Sequence, residues 1–277
     1  TAFDCSEVND GDPKAGKSVG HTSVVFKIEL STGKKYAFKP NAKKVKDRYK
    51  GEIAAYRFAE ALGVHNVPPA CFRVFEASKV AAAVSANDAG ASLFADEAIV
   101  EGGKTKGALI PWIEGLGFWA IEKEPLRTET RDWLTNGKTI PEDKTELARQ
   151  LSTMLVLDMI TGNWDRMSGG NVGLDKTGAT VLFIDNDAAF MESQPKEALA
   201  KNKQLVGAVD RFSKGLVAQL RRLDDDKIQA MLGDESPGTP LVSRAVVAAM
   251  ASRAKDVIAI VDAKIAAHGQ KETLYFK

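Results

Sequence analysis

Between Leu147 and Asp187 the apolar rhythm of the chain changes once, and that change constrains its fold more than any other feature. Leu147, Leu151, Met154, Leu155 and Met159 recur at helical spacing behind Pro141, and Gly162 ends the run. Residues 171–174 and 180–184 are then β-rich and flank Asp175-Lys-Thr-Gly178, a hairpin signal. Helix, loop and hairpin in that order put Asn171 and Asp185 at neighbouring open ends of one hairpin, directly after a loop holding Asp165 and Arg166. A carboxylate such as Asp185, at the end of a very apolar strand, is costly unless a cation or hydrogen-bond donors satisfy it.

Upstream, residues 23–30 and 35–39 read as strands around Ser31-Thr-Gly33, where glycine supplies the positive φ of a tight turn. The preceding residues 14–23 are rich in glycine and hydroxyl side chains (Gly16, Gly20, Thr22, Ser23), a loop whose amides can approach an anion closely. A helix is predicted from Gly51 to Leu62, stopped at Gly63, with Glu52 in its first turn and within reach of a strand lysine. Pro68-Pro69 breaks the chain, residues 70–75 restart as a strand, and a Gly-rich run at 101–107 precedes apolar 108–113. Glu114-Gly-Leu-Gly117 is the flexible joint at which a β-rich lobe, residues 1–114, gives way to a mainly helical lobe, residues 115–271. The fold class expected is therefore α+β. Residues 241–267 carry too many charges for a membrane span and read as a packed helix. The closing residues 272–277 look like the remnant of a protease-cleavage tag and are set aside.

With 44% hydrophobic residues in 277, the chain can bury a substantial core and reads as a soluble, globular protein. Thirty-eight basic and thirty-seven acidic side chains leave a net charge of +1, so no global field recruits nucleic acid or anionic membrane. Cys5 and Cys71 are too few for a thiolate zinc cluster; they are either two free thiols or one disulfide tying the amino terminus to the first lobe. The compartment, cytoplasmic or exported, stays open on that ground, as does the oligomeric state. An opening Thr1 implies that an initiator Met, a signal segment or added residues have been removed. His21, His65 and His268 show no ligand spacing, and the basic run from Lys43 to Lys50 reads as a solvated loop before it reads as a dock for an acidic protein.

Four segments, Ala37-Phe-Lys39-Pro40, Gly51-Glu52-Ile-Ala-Ala-Tyr56, the run from Leu157 through Asp165-Arg166, and Ile184-Asp-Asn-Asp-Ala-Ala-Phe190, occur in an order that resembles the atypical protein kinases. The likeness is nearest to actin-fragmin kinase and the secretory-pathway casein kinases, and more distant to the phosphatidylinositol kinases and HipA. It implies a two-lobed protein-kinase-like fold that uses ATP and Mg²⁺, with Mn²⁺ as an alternative metal. The implied reaction moves the γ-phosphoryl group to a hydroxyl, that of a protein Ser or Thr ahead of a lipid, inositol or sugar. A catalytically inactive nucleotide-binding module is the alternative outside the enzymes.

Position by position, the resemblance implies that Lys39 contacts the α- and β-phosphates and Glu52 orients it. Gly16, Gly20, Thr22 and Ser23 would cradle phosphates, while Ile110 and Trp112, within residues 109–114, line the adenine. Asp165 would orient or deprotonate the acceptor hydroxyl, and Arg166 would neutralise a phosphate or brace Asp165. Asn171 and Asp185 would hold the metal, with Asp187 as a further contact. Asp158, on the apolar face of its helix, would bond to amides of the loop. The interval from Asp165 to Asn171 is one residue longer than usual in protein kinases: either Gly169-Gly170 absorbs the extra residue or Asn171 is not a ligand. No Ala-Pro-Glu segment follows Asp185, so the substrate platform of conventional protein kinases does not carry over.

Overall fold

Phe26, Ile28 and Leu30 are fully buried while Lys27 and Glu29 between them are not, the alternation of a strand with one apolar face. In the computed structural model, which describes residues 5–8, 10–19, 24–86 and 88–277, this strand joins a five-stranded antiparallel sheet. The elements in chain order are β1 (Pro13–Ser18), β2 (Phe26–Leu30), β3 (Lys35–Pro40), α1 (Tyr49–Ala61), β4 (Cys71–Glu76), α2 (Ala77–Val84), α3 (Asp88–Glu97) and β5 (Lys104–Pro111). Their spatial order is β1-β2-β3-β5-β4. Phe26, Ile28, Leu30, Tyr36 and Phe38 form one core with Val80 and Val84 of α2 and Phe94 of α3. Edge-on aromatic pairs support this core: Phe26 of the sheet meets Phe94 of α3 at a centroid distance of 5.9 Å, and Phe38 meets Phe75 within the sheet at 5.2 Å. Neither α2 nor α3 is legible in the sequence, because their alanine-rich stretches offer only a few apolar anchors.

Cys5 and Cys71 are joined in a disulfide, with Cα atoms 5.6 Å apart, which closes the choice the sequence left open. Of the four residues expected to cradle phosphates, Gly16 alone is among the described residues. That residue lies inside β1 opposite Ile28, and a Cβ there would stand 3.2 Å from Val84 of the covering helix, so its small size serves close packing. Gly20, His21, Thr22 and Ser23 lie outside the described residues.

The chain divides into two compact units, Thr1–Tyr56 with Pro68–Glu114, and Arg57–Val67 with Gly115–Lys277; the division falls within α1. The second unit continues with β6 (Gly117–Phe118), α4 (Leu126–Trp133), α5 (Thr145–Thr161), β7 (Val172–Leu174), β8 (Val181–Phe183), α6 (Lys196–Gly207), α7 (Lys214–Leu220), α8 (Asp225–Leu232), β9 (Asp234–Ser236), β10 (Thr239–Pro240), α9 (Arg244–His268) and α10 (Gln270–Thr273). The periodicity predicts one apolar face on α5, yet the helix is buried on nearly every side, polar residues included. Two of those polar groups reach distant parts of the chain: Ser152 Oγ donates to the Arg211 carbonyl at 2.7 Å, and Gln150 Oε1 accepts from Asn66 Nδ2 at 2.7 Å and from the Val181 N–H at 2.6 Å.

The tail set aside in the sequence is part of this packing. Thr273 and Phe276 are buried, the Phe212 N–H donates to the Thr273 carbonyl, and the Phe276 N–H donates to Phe212. An aromatic anchor, not its likeness to a tag, decides where residues 272–277 go. Among the described residues no helix is long and apolar enough to cross a membrane.

Candidate functional site

In the first unit Lys39, near the end of β3, and Glu52, in the first turn of α1, form an ion pair whose side chains are almost wholly buried. Gly107 makes the arrangement around Lys39 possible. It lies opposite Pro40 on β5, and any Cβ there would sit 2.1 Å from the Lys39 carbonyl oxygen. Ile110 lies opposite Ala37, two residues from Lys39 and so on the same face of the sheet. Trp112 follows two residues beyond Ile110. Its N–H donates to the Lys35 carbonyl at 3.0 Å and the Lys27 ammonium covers its ring at 3.9 Å, so that amide and that ring face are already engaged.

In the second unit the loop after α5 is organised by Arg166. α5 ends on Gly162 in the left-handed conformation, and Asp165 precedes one turn of 3₁₀ helix, Arg166–Ser168. The buried guanidinium of Arg166 donates through Nε to Asp158 Oδ2 at 3.0 Å and through Nη2 to Asp158 Oδ1 at 3.1 Å. Nη1 donates to the carbonyls of Asn171, at 2.5 Å, and Ile184, while Nη2 also reaches Asn186 Oδ1 at 2.6 Å. Arg166 is thus committed to protein acceptors, which favours the second of its two expected roles, bracing the loop of Asp165, over contact with a phosphate. Asp158 is corrected, since its carboxylate meets that guanidinium and not loop amides. Burial pushes the Asp158 carboxyl above its ordinary range, against the opposing pull of Arg166.

The long interval to Asn171 is absorbed by Gly169 and Gly170, which take φ of 103° and 78°. Asn171 is turned back over the loop: its Nδ2 donates to the Asp165 carbonyl at 2.7 Å and lies 3.4 Å from Asp165 Oδ2. Asn171 and Ile184 flank the paired residues Val172 and Phe183 of β7 and β8, so the two open hairpin ends meet at Arg166 Nη1. Asp185 follows with a φ of 57°, a left-handed conformation that aspartate tolerates better than most residues. Asn186 turns its side chain inward, donating to the Phe183 carbonyl at 2.9 Å. Asp187 is buried.

Among the described residues no group of three or more His, Cys, Asp or Glu could hold a metal ion. Asn171, Asp185 and Asp187 offer instead an amide oxygen and two carboxylates, a sparse all-oxygen set that suits a hard divalent cation completing its shell with phosphate oxygens and water. The donor chemistry therefore fits Mg²⁺ or Mn²⁺.

Sequence reasoning missed the supports of this loop. Asn202 Nδ2 donates to the carbonyls of Asn163 and Asp158 at 2.8 and 3.2 Å, Gln194 Nε2 to that of Gly162 at 2.7 Å, and Arg253 Nε to that of Ile160 at 2.7 Å.

The fold of this chain matches the Golgi casein kinase with a TM-score of 0.70 at 14% identity, over 98% of this chain and 76% of that one. The Golgi casein kinase with Mn/ADP bound matches equally, at 0.70 and 13% identity over 98% and 77%. A hydra Fam20 structure with sugar gives 0.68 and 14% over 96% and 89%. The class these likenesses define is an α+β, protein-kinase-like fold of the atypical kind. Residues 26–177 match the four-jointed box protein middle domain, and the chain belongs to the four-jointed box family. A search of curated proteins finds no match.

Proposed function

We propose that this chain is an ATP- and divalent-cation-dependent phosphotransferase acting on a hydroxyl, that of Ser or Thr in a protein. The reading rests above all on the Arg166 clamp, which ties the backbone of Asn171 and Ile184 to one buried guanidinium and so preorganises the oxygen donors around it. Asp165 then orients the acceptor hydroxyl and takes up its proton. Asn171 and Asp185 hold the cation, with Asp187 beside them, and the first unit acts as the N-lobe, its Lys39 neutralising the α- and β-phosphates under the control of Glu52. When bound, the cation and nucleotide supply the transferable γ-phosphoryl group and the counter-charge it needs.

The Mn/ADP complex of the Golgi casein kinase supports nucleotide and divalent-metal use. A sugar hydroxyl is the second reading, favoured by the sugar in the hydra Fam20 structure. The Cys5–Cys71 bond favours an oxidising, exported setting.

The test is transfer of label from γ-labelled ATP by the purified chain, with Mg²⁺ or Mn²⁺, to separate protein and sugar pools. Label in protein is expected, with Asp165→Ala and Asp185→Ala each reducing it by about 10²-fold or more. Full transfer by either variant overturns the reading, and label confined to the sugar pool selects the second. Thermal stabilisation by nucleotide and Mg²⁺ without ATP consumption marks an inactive binding module.

A further inference from the structure

We propose that the cavity lined by α4, α5 and α6 binds a free, single-chain aliphatic carboxylate, and that its occupancy steadies the loop carrying Asp165. The cavity, of about 270 Å³, is walled by Ile121, Leu134, Leu151, Met154, Leu155 and Val209, and Met167 of the 3₁₀ turn forms part of the same wall. Thr130 also lines it, but its hydroxyl donates to the Leu126 carbonyl at 2.7 Å within α4 and asks nothing of an occupant. An apolar space with no polar group to satisfy favours a hydrocarbon body over water.

The charged members of the lining are Arg127 and Arg131, both exposed and one helical turn apart on α4. Arg127 Nε is engaged by Glu124 Oε1 at 2.8 Å. No ion pair engages the Arg131 guanidinium among the described residues, which leaves it for a carboxylate at the mouth of an apolar hole. A single hydrocarbon tail suits the volume, whereas the paired tails of a membrane phospholipid exceed it. The link to the loop is Met167, which lies between Arg166, clamped to Asp158, and Ser168, whose hydroxyl donates to the Asp165 carbonyl at 2.8 Å. Hydrocarbon packed against Met167 fills the space into which that turn can move.

This site is separate from the oxygen donors of Asn171, Asp185 and Asp187, and its test needs no catalysis. Equilibrium dialysis and thermal shift of the purified chain with decanoate should give saturable binding of one molecule per chain and a raised melting temperature. Arg131→Gln should weaken decanoate about tenfold while leaving 1-decanol unchanged. Ala208, an exposed lining residue directly after α6, takes the blocking variant: Ala208→Trp should abolish both. Amide exchange at residues 165–171 should slow when decanoate binds.

No saturable binding to the folded chain, or undiminished decanoate affinity in Arg131→Gln, overturns the site. Undiminished binding in a folded Ala208→Trp protein also overturns it. Binding without slowed exchange overturns the link to the loop. Arg131→Gln alters an exposed side chain and carries the test should Ala208→Trp misfold.

Discussion

Arg166 meets both carboxylate oxygens of Asp158, eight residues earlier on α5, and both side chains are almost wholly buried. The pair anchors the loop of Asp165 to the central helix, and the same guanidinium holds both ends of the β7–β8 hairpin.

Removing Arg166 leaves a buried carboxylate without its partner. Arg166→Ala should therefore cost about 3–5 kcal/mol of stability. Arg166→Lys keeps the charge but not the fork of donors, and should lose a substantial part of the same energy. Urea unfolding checks both, and a lysine variant as stable as the parent would show that the fork does not matter.

Lys39 and Glu52 should behave as a coupled pair. Lys39→Met removes the ammonium that the buried Glu52 meets and should cost about 3–5 kcal/mol, whereas adding Glu52→Gln should recover a good part of that loss. A double-mutant cycle in urea measures the coupling. Strict additivity would mean that the ion pair contributes nothing to the fold of the first unit.

The Cys5–Cys71 bond spans 66 residues of chain, and closing a loop of that length stabilises by about 4 kcal/mol in the chain-entropy account. Replacing both cysteines by serine should lower the melting temperature, and reductant should lower that of the parent but not of the variant. An unchanged melting temperature in the variant would contradict the expectation.

Asp210 ties the helical unit together in a pH-dependent way. Burial alone would raise its carboxyl, but the Lys264 ammonium at 2.6 Å, the Asn136 N–H at 2.8 Å and the nearby His268 hold it below its ordinary 3.8. A depressed carboxylate stabilises the fold above its unfolded value and loses that contribution as pH falls through its folded one. The stability gap between the parent and Asp210→Asn should thus be full near pH 6 and close as pH drops below 3.8. A gap independent of pH would rule out the ionised carboxylate as its source.

Much of the fold was legible because its signals are local. The stop at Gly162, the turn at Ser31–Gly33 and the hairpin around residues 175–178 each depend on a few adjacent residues, and each stands where the sequence implies. The close packing around Gly16 was not legible, because a glycine pressed against a neighbouring strand and helix and a glycine in an anion loop look the same along a chain. The role of Arg166 stayed open between two alternatives for a related reason. A guanidinium beside a catalytic-type aspartate can face a phosphate or the protein, and only the positions of Asp158, Asn171, Ile184 and Asn186 decide.

By itself, the sequence determined the two hairpins around Ser31–Gly33 and Asp175–Gly178, the helices α1 and α5, the atypical-kinase likeness and the identity of the polar residues at the loop and hairpin ends, because periodicity, turn chemistry and motif order are written in consecutive residues. Tertiary structure alone decided that Cys5 joins Cys71, that α5 is buried all round, that Phe276 packs into the helical unit and that Arg166 is a clamp. These depend on which groups from distant parts of the chain compete for the same buried space and the same hydrogen bonds, a competition settled only once the chain has folded.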